Sequence, residues 1–300
     1  MTTYCEKIML VSLDEMSGLY PESNFCVFDK GFIIQKDSNS LVYFDNDGHF
    51  QKELKFDVIG DFSTFRNKRL YVLAFDRIEM YDLDELKHEG TLPLPDSSFT
   101  YCKVGGTYED VVAVFAFRGG KVYSGDYDTV QKTLYFPVEG NIKGSNDSLK
   151  KVLGKSGFFY NGDESYFYYS NTGTVYQMAD FYFLSYVWDF KKKKEVHVTV
   201  SNVQKMTNKL FMNLETSMGD YCSIITINDD GYPHSSALYS SSKTPYFPLG
   251  IIYNKTNYYL CNSMDIDKYV SRNLLDSEEN NRFDTLKSHS NNIMIKYHLK

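Results

Sequence analysis

The chain has only one tryptophan, seven prolines and five cysteines in 300 residues. The low proline content and the lack of any Gly-X-Y period exclude a collagenous chain. Cys5, Cys26, Cys102, Cys222 and Cys261 are widely spaced and odd in number. With no C-x-x-C pair among them, neither a zinc ribbon nor a redox dithiol is indicated. All but Cys5 sit in apolar, aromatic stretches and read as small buried hydrophobes. No apolar run approaches the roughly 18–20 residues needed to span a bilayer. The opening Met1-Thr2-Thr3-Tyr4-Cys5-Glu6-Lys7 shows no basic segment leading into an apolar one, so on its face the chain reads as cytosolic. A net charge of −7 argues against tracking a phosphate backbone, and no nucleic-acid partner is expected.

Aromatic residues are abundant, with 26 Tyr and 22 Phe. They favour the pleated surface of a sheet. Short apolar stretches alternate with turn clusters such as Asp29-Lys30-Gly31, Asp45-Asn46-Asp47-Gly48, Asn161-Gly162-Asp163, Asn228-Asp229-Asp230-Gly231 and Asn254-Lys255. Asn, Asp and Gly tolerate the positive φ of tight hairpins, so the pattern describes an antiparallel meander. It recurs as units at 24–54, 62–94, 101–136, 157–190, 198–239 and 249–299, close to the period of about 50 residues typical of propeller blades. The last unit ends on its third strand, and an unassigned strand, Lys7–Leu13, precedes the first. The expectation is one all-β domain over 1–300. It is a six-bladed β-propeller of four-stranded antiparallel blades, closed by the N-terminal strand pairing with Ile293–Leu299. A pair of β-sandwiches is the alternative. Within an insertion at 263–291, the spacing of Ile266, Tyr269, Val270 and Leu274 predicts a short helix, while Ser277–Asn281 and Ser288–Asn292 read as mobile loop.

Two stretches resemble a known family. One is the fourth unit, with Phe158-Phe159-Tyr160-Asn161-Gly162-Asp163, Tyr166-Phe167-Tyr168-Tyr169-Ser170, Thr174-Val175-Tyr176 and Trp188-Asp189-Phe190-Lys191. The other is the C-terminus, Asn291-Asn292-Ile293-Met294-Ile295-Lys296-Tyr297-His298-Leu299-Lys300. Together they resemble the six-bladed, TolB-like or NHL-like propellers of Bacteroides-type bacteria, many of them predicted lipoproteins. Asn292 stands where that family has Pro and Lys191 where it has Gly, and its Gly-Pro-Gly-Glu stretch is absent around Phe56–Phe62. Cys5 also lacks a lipobox. The resemblance implies the propeller fold and a place in the cell envelope, periplasmic or on the surface. It implies no defined activity.

Motifs for chemistry are sparse. His49, His88, His197, His234, His289 and His298 are scattered, without H-E-x-x-H or H-x-H. G-x-S-x-G is absent, and Gly154-Lys155-Ser156-Gly157 is too short for a phosphate loop. The acidic runs at 45–48 and 228–231 lack the 12-residue ligand spacing of a calcium loop and read as turns. No metal or cofactor is expected. Lys191–Lys194 reads as a solvated loop, with docking of an acidic partner as the alternative. Phe158–Tyr169 and Phe181–Trp188 read as packing between sheets, with sugar stacking as the alternative.

The expected function is non-catalytic binding or scaffolding. The partner would be a small polar ligand, an oligosaccharide, a peptide or an envelope protein, and the chain a monomer. The alternative is an enzyme, a hydrolase or lyase with a site assembled across blades at the central channel. In a propeller, loops joining second to third strands gather on one rim of the channel. Read this way, Lys36, Asp37, Asp76, Arg77, Arg118, Asn171 and Glu215 are the candidate ligand-binding residues, with the insertion from Ser263 as a lid.

Overall fold

A computed structural model describes residues 4–16, 19–20, 23–65, 68–94, 100–108, 111–118, 121–128, 133–134, 138–141, 157–161, 164–169, 174–179, 182–184, 199–216, 219–227, 233–240, 245–288 and 291–300. Strand β1 (Cys5–Ser12) leads the chain. A first meander follows as β2 (Phe25–Phe28), β3 (Gly31–Gln35), β4 (Ser40–Asp45) and β5 (Phe50–Lys55). A second runs through β6 (Asp61–Phe65), β7 (Arg69–Ala74), β8 (Arg77–Asp82) and β9 (Lys87–Pro93). The third comprises β10 (Thr100–Tyr108), β11 (Val111–Arg118), β12 (Lys121–Asp128), β13 (Thr133–Leu134) and β14 (Val138–Asn141). A fourth has β15 (Gly157–Asn161), β16 (Glu164–Tyr169), β17 (Thr174–Ala179) and β18 (Tyr182–Leu184). The fifth has β19 (Thr199–Met206), β20 (Lys209–Thr216), β21 (Gly219–Ile227) and β22 (Pro233–Ser240). Last come β23 (Ile251–Tyr253), β24 (Thr256–Asn262), the helices α1 (Ile266–Tyr269) and α2 (Ser277–Lys287), and β25 (Asn292–Leu299).

Among the described residues these strands form six antiparallel sheets, five of four strands and one of five. The extra strand corrects the expectation that every sheet has four. β13 and β14 both lie along β12, β13 against Tyr127 and Asp128 and β14 against Lys121–Ser124. The fourth strand of this sheet is thus two short pieces on one edge. Of the acidic runs, 45–48 is a turn: Asp45 Oδ1 accepts the N–H groups of Asp47 and His49, and Gly48 has φ +90°. The run at 228–231 and Lys191–Lys194 lie outside the described residues. Phe159, Tyr166, Phe167 and Tyr168 are buried, and Phe159 stacks on Tyr166 at 5.2 Å, so this aromatic stretch is packing.

The sheets group into two compact units, one of residues 1–54 and 192–300, the other of residues 55–191. In the first unit the last sheet has the order β1-β25-β24-β23. The chain's opening strand therefore completes a sheet begun near its end, with Ile8 opposite Tyr297 and Leu10 opposite Ile295. Ile8, Leu10, Ile293, Ile295 and Tyr297 are fully buried. Asn257, also fully buried, donates Nδ2–H to the Pro248 carbonyl and accepts the Gly250 N–H at Oδ1. Asn202 is the extra residue of a β-bulge, held at φ +48°. Its Nδ2 donates to the Leu249 and Gly250 carbonyls, joining the fifth sheet to the last.

The insertion differs from expectation. Ser277–Asn281, read as loop, is the first half of α2. Asp276 caps it, accepting the Glu279 N–H at 2.9 Å, and Phe283 and Leu286 enter the core beside Ile266, Val270 and Leu275. The signal was a capping box, an acidic cap with Glu three residues on, hidden by the polar run that follows. The insertion is a cover for β1, the outermost strand of its sheet. The Leu10 N–H donates to Glu279 Oε2 at 2.8 Å, and Arg282 Nη1 donates to the Leu10 carbonyl at 2.9 Å. Two side chains thereby supply the donor and acceptor that a further strand would offer, which blunts an edge open to wrong pairing.

In the second unit, β10 lies between its neighbours at close range. A Cβ on Gly106 would come within 2.6 Å of the Phe65 ring. The Gly106 N–H donates to the hydroxyl of half-buried Tyr160 at 3.1 Å, and Ser165 Oγ donates to the Gly106 carbonyl. Asp61 accepts from Lys103 Nζ at 3.2 Å and from the Val104 N–H at 3.0 Å. Burial raises the Asp61 carboxyl above its ordinary value despite Lys103.

Replacing Glu279 by Leu leaves the buried Leu10 N–H without its acceptor, at a cost of about 1–3 kcal/mol. The expected result is a lower urea midpoint, with Leu10 among the amides whose hydrogen exchange accelerates most. An unchanged Leu10 exchange rate would show that α2 does not hold this edge.

Candidate functional site

Strand β8 reads Arg-Ile-Glu-Met-Tyr-Asp, alternating long polar or aromatic residues with apolar ones. Successive side chains of a strand point to opposite faces, so Arg77, Glu79 and Tyr81 share one face while fully buried Ile78 faces the core. On β9, Thr91 stands opposite Glu79, and the register shifts between Met80 and Tyr81, so that His88 stands opposite Tyr81. An inserted residue reverses the alternation beyond it. The bulge at Glu89 thus brings His88 to the face of Glu79 and Tyr81. Glu89 itself pairs with Arg69 Nε at 2.8 Å.

The result is an open hollow of about 420 Å³ lined by Lys55, Phe56, Asp57, Arg77, Glu79, Tyr81, His88 and Thr91. Glu79 lies at its base with its side chain 12% exposed. Its Oε1 accepts Arg77 Nε at 2.6 Å. Its Oε2 accepts the Thr91 hydroxyl at 2.6 Å and lies 2.7 Å from His88 Nε2. Arg77 also donates from Nη1 to Asp76 at 3.2 Å and from Nη2 to Asp57 at 3.1 Å. One guanidinium therefore holds three carboxylates. Phe56 and His88 each meet Tyr81 edge-on, at 5.9 and 5.2 Å.

Burial alone would raise the Glu79 pKa, but the hydrogen bonds from Thr91, Arg77 and His88 outweigh it and hold the carboxyl below its ordinary value. The Arg77 pKa is raised, by Glu79 first and then Asp57. Glu79 is a fixed anion that orients the His88 ring: with an Nε2–H donated to Oε2, the neutral ring has Nδ1 as its acceptor. Burial pushes the Cys5 thiol to about 11 and Cys222 to about 12, as inert, protonated thiols. Among the described residues, no three His, Cys, Asp or Glu side chains are placed to hold a metal ion.

Of the expected rim residues, Asp76 and Arg77 are brought together by a hydrogen bond, and Arg77 lines this hollow. Arg77 opens β8 rather than lying in a loop. Asp37 Oδ1 instead organises its own turn, accepting the Asn39 N–H and the Ser40 hydroxyl, and neighbouring Lys36 pairs with Glu53 at 3.2 Å. Glu215 lies within β20, opposite Asp220, and Arg118 ends β11, so neither is a loop residue. The Arg118 side chain and Asn171 lie outside the described residues. Lys36, Asp37 and Glu215 belong to one compact unit, Asp76, Arg77 and Arg118 to the other. Glu79, His88 and Thr91 went unread as a site because they meet across two strands through a bulge, for which Gly90 was the only local hint.

Sheets of this kind define an all-β propeller. An exported protein of Bacteroides fragilis superposes with a TM-score of 0.68 over 98% of this chain and 95% of that one, at 11% identity. BamB of Moraxella catarrhalis matches 95% of this chain and 74% of its own at 8% identity and a TM-score of 0.44. A streptogramin B lyase matches 78% and 87% at 10% identity and 0.48. The likeness is one of fold. No family model and no curated protein matches the sequence. Among the described residues, no helix is long and apolar enough to cross a membrane.

A depressed carboxyl pKa stabilises the fold above the unfolded value, about 4.3 for Glu, and that stabilisation is lost as pH falls through the folded value. Glu79→Gln should therefore lower stability near neutral pH by about 1–2 kcal/mol. It should also flatten the loss of stability below pH about 4. Urea denaturation of both proteins across acidic pH tests this; parallel profiles would mean that Glu79 is not held as an anion.

Proposed function

We propose that this chain is a non-catalytic binding propeller of the cell envelope, a single domain whose six sheets form six blades. The observation that carries the binding reading is the hollow at Arg77. Its polar groups are fixed in place by one another before any ligand arrives, which lowers the ordering cost of binding. The completion of the last sheet by β1 supports the closed ring. The likeness to an exported protein supports the envelope. Asp76 and Arg77 are the ligand-binding residues best supported by geometry, with Arg118 as a further rim candidate.

One observation favours the enzyme reading, the His88–Glu79 contact at 2.7 Å, since an oriented imidazole is a general base. The Thr91 hydroxyl, 3.3 Å from His88 Nε2, is already donated to Glu79.

A thermal-shift screen against oligosaccharides, peptides and metals tests the reading, because a ligand that binds only the native state raises Tm. A hit should raise Tm for the native chain, and the folded Arg77→Glu, Arg118→Glu double variant should lose most of that shift. Full retention places the ligand elsewhere. Conversion of the hit to product, abolished by His88→Gln, would establish the enzyme reading instead.

A further inference from the structure

Resting on that binding reading, we propose that the hollow between β8, β9 and Lys55–Asp57 binds a neutral saccharide. Its lining carries two cations, Lys55 and Arg77, against two carboxylates, Asp57 and Glu79. A ligand of either charge gains little from a lining so balanced. An apolar ligand would strip water from polar groups without replacing their hydrogen bonds. A phosphate would meet Asp57 and Glu79, carboxylates that already engage Arg77.

A sugar ring needs donors and acceptors interleaved at short range, beside an apolar surface for its C–H faces. The hollow has both. Arg77 donates three of its five N–H groups within the protein, leaving two. Lys55 forms no ion pair among the described residues, and Asp57 engages only Oδ2, leaving Oδ1 open to a hydroxyl. With Nε2–H directed at Glu79, His88 offers Nδ1 as an acceptor. Phe56, Tyr81 and His88 supply the ring surface. The volume, about 420 Å³, lies in the range of small-molecule sites, roughly 300–1,000 Å³. Its openness to solvent suits one or two sugar rings of a longer glycan. Glu79 contacts no ligand in this arrangement; it is a positioning residue that fixes Arg77 and His88.

The test uses the full chain, with calorimetry and amide chemical-shift mapping. Neutral probes are methyl glucoside, methyl galactoside, N-acetylglucosamine and the corresponding disaccharides; charged probes are glucuronate, glucosamine and a tripeptide. A neutral saccharide should bind at least tenfold more tightly than its charged analogue, with shifts at Phe56, Tyr81 and His88. Tyr81→Ala should weaken binding about tenfold, and Tyr81→Phe should retain it. Shift mapping on the native chain decides the matter even where Tyr81→Ala fails to fold. Saccharide shifts confined to other residues overturn the assignment. Binding of the tripeptide here, with no saccharide response, overturns the saccharide but leaves the binding reading intact. Silence from the whole panel overturns both.

Discussion

The pairing of β1 with β25 is the constraint on which the last sheet depends. β23, β24 and β25 make a three-stranded sheet with an open edge. The strand that covers this edge comes from the far end of the chain, a loop closure whose entropic cost grows only slowly with length. Burial of Ile8 and Leu10 offsets it. β1 then becomes the edge, and α2 covers it with Glu279 and Arg282. Each step passes an unpaired edge to the next element until one ends on side chains instead of backbone.

Polar side chains reach from one sheet to the next to satisfy buried backbone groups. Asn202 does so between the fifth and last sheets, Asp61 and Tyr160 between the second, third and fourth. Such contacts cost less than an unsatisfied group and fix which sheet meets which. Asn202 and Glu89 both sit at bulges: one links sheets, and the other re-aims His88. A single added residue changes the face on which a side chain appears, which allows a regular meander to carry an irregular site.

In the hollow, groups of opposite charge are held against one another. Arg77 and Glu79 neutralise each other at close range, and Arg77 also donates to Asp57 and Asp76. Such a site discriminates through hydrogen-bond geometry more than through net charge.

Much of the fold could be read from the sequence because it rests on local rules. Period-two alternation marks strands, and Asn, Asp and Gly mark turns, so the meanders among the described residues and the pairing of the two termini were legible. Asp76 and Arg77 were legible too, as polar residues at a hairpin between second and third strands. Three features were decided by tertiary structure. Helix α2 has a polar sequence, and its value lies in Phe283, Leu286 and Glu279 meeting β1, a strand some 270 residues earlier. The split fourth strand of the third sheet depends on the edge of β12. The hollow needs Glu79, His88 and Thr91 on one face, which depends on where the β8–β9 register slips. Alternation within a strand is a property of its own backbone. Register between strands is a property of two, and it is set by packing that no single segment contains.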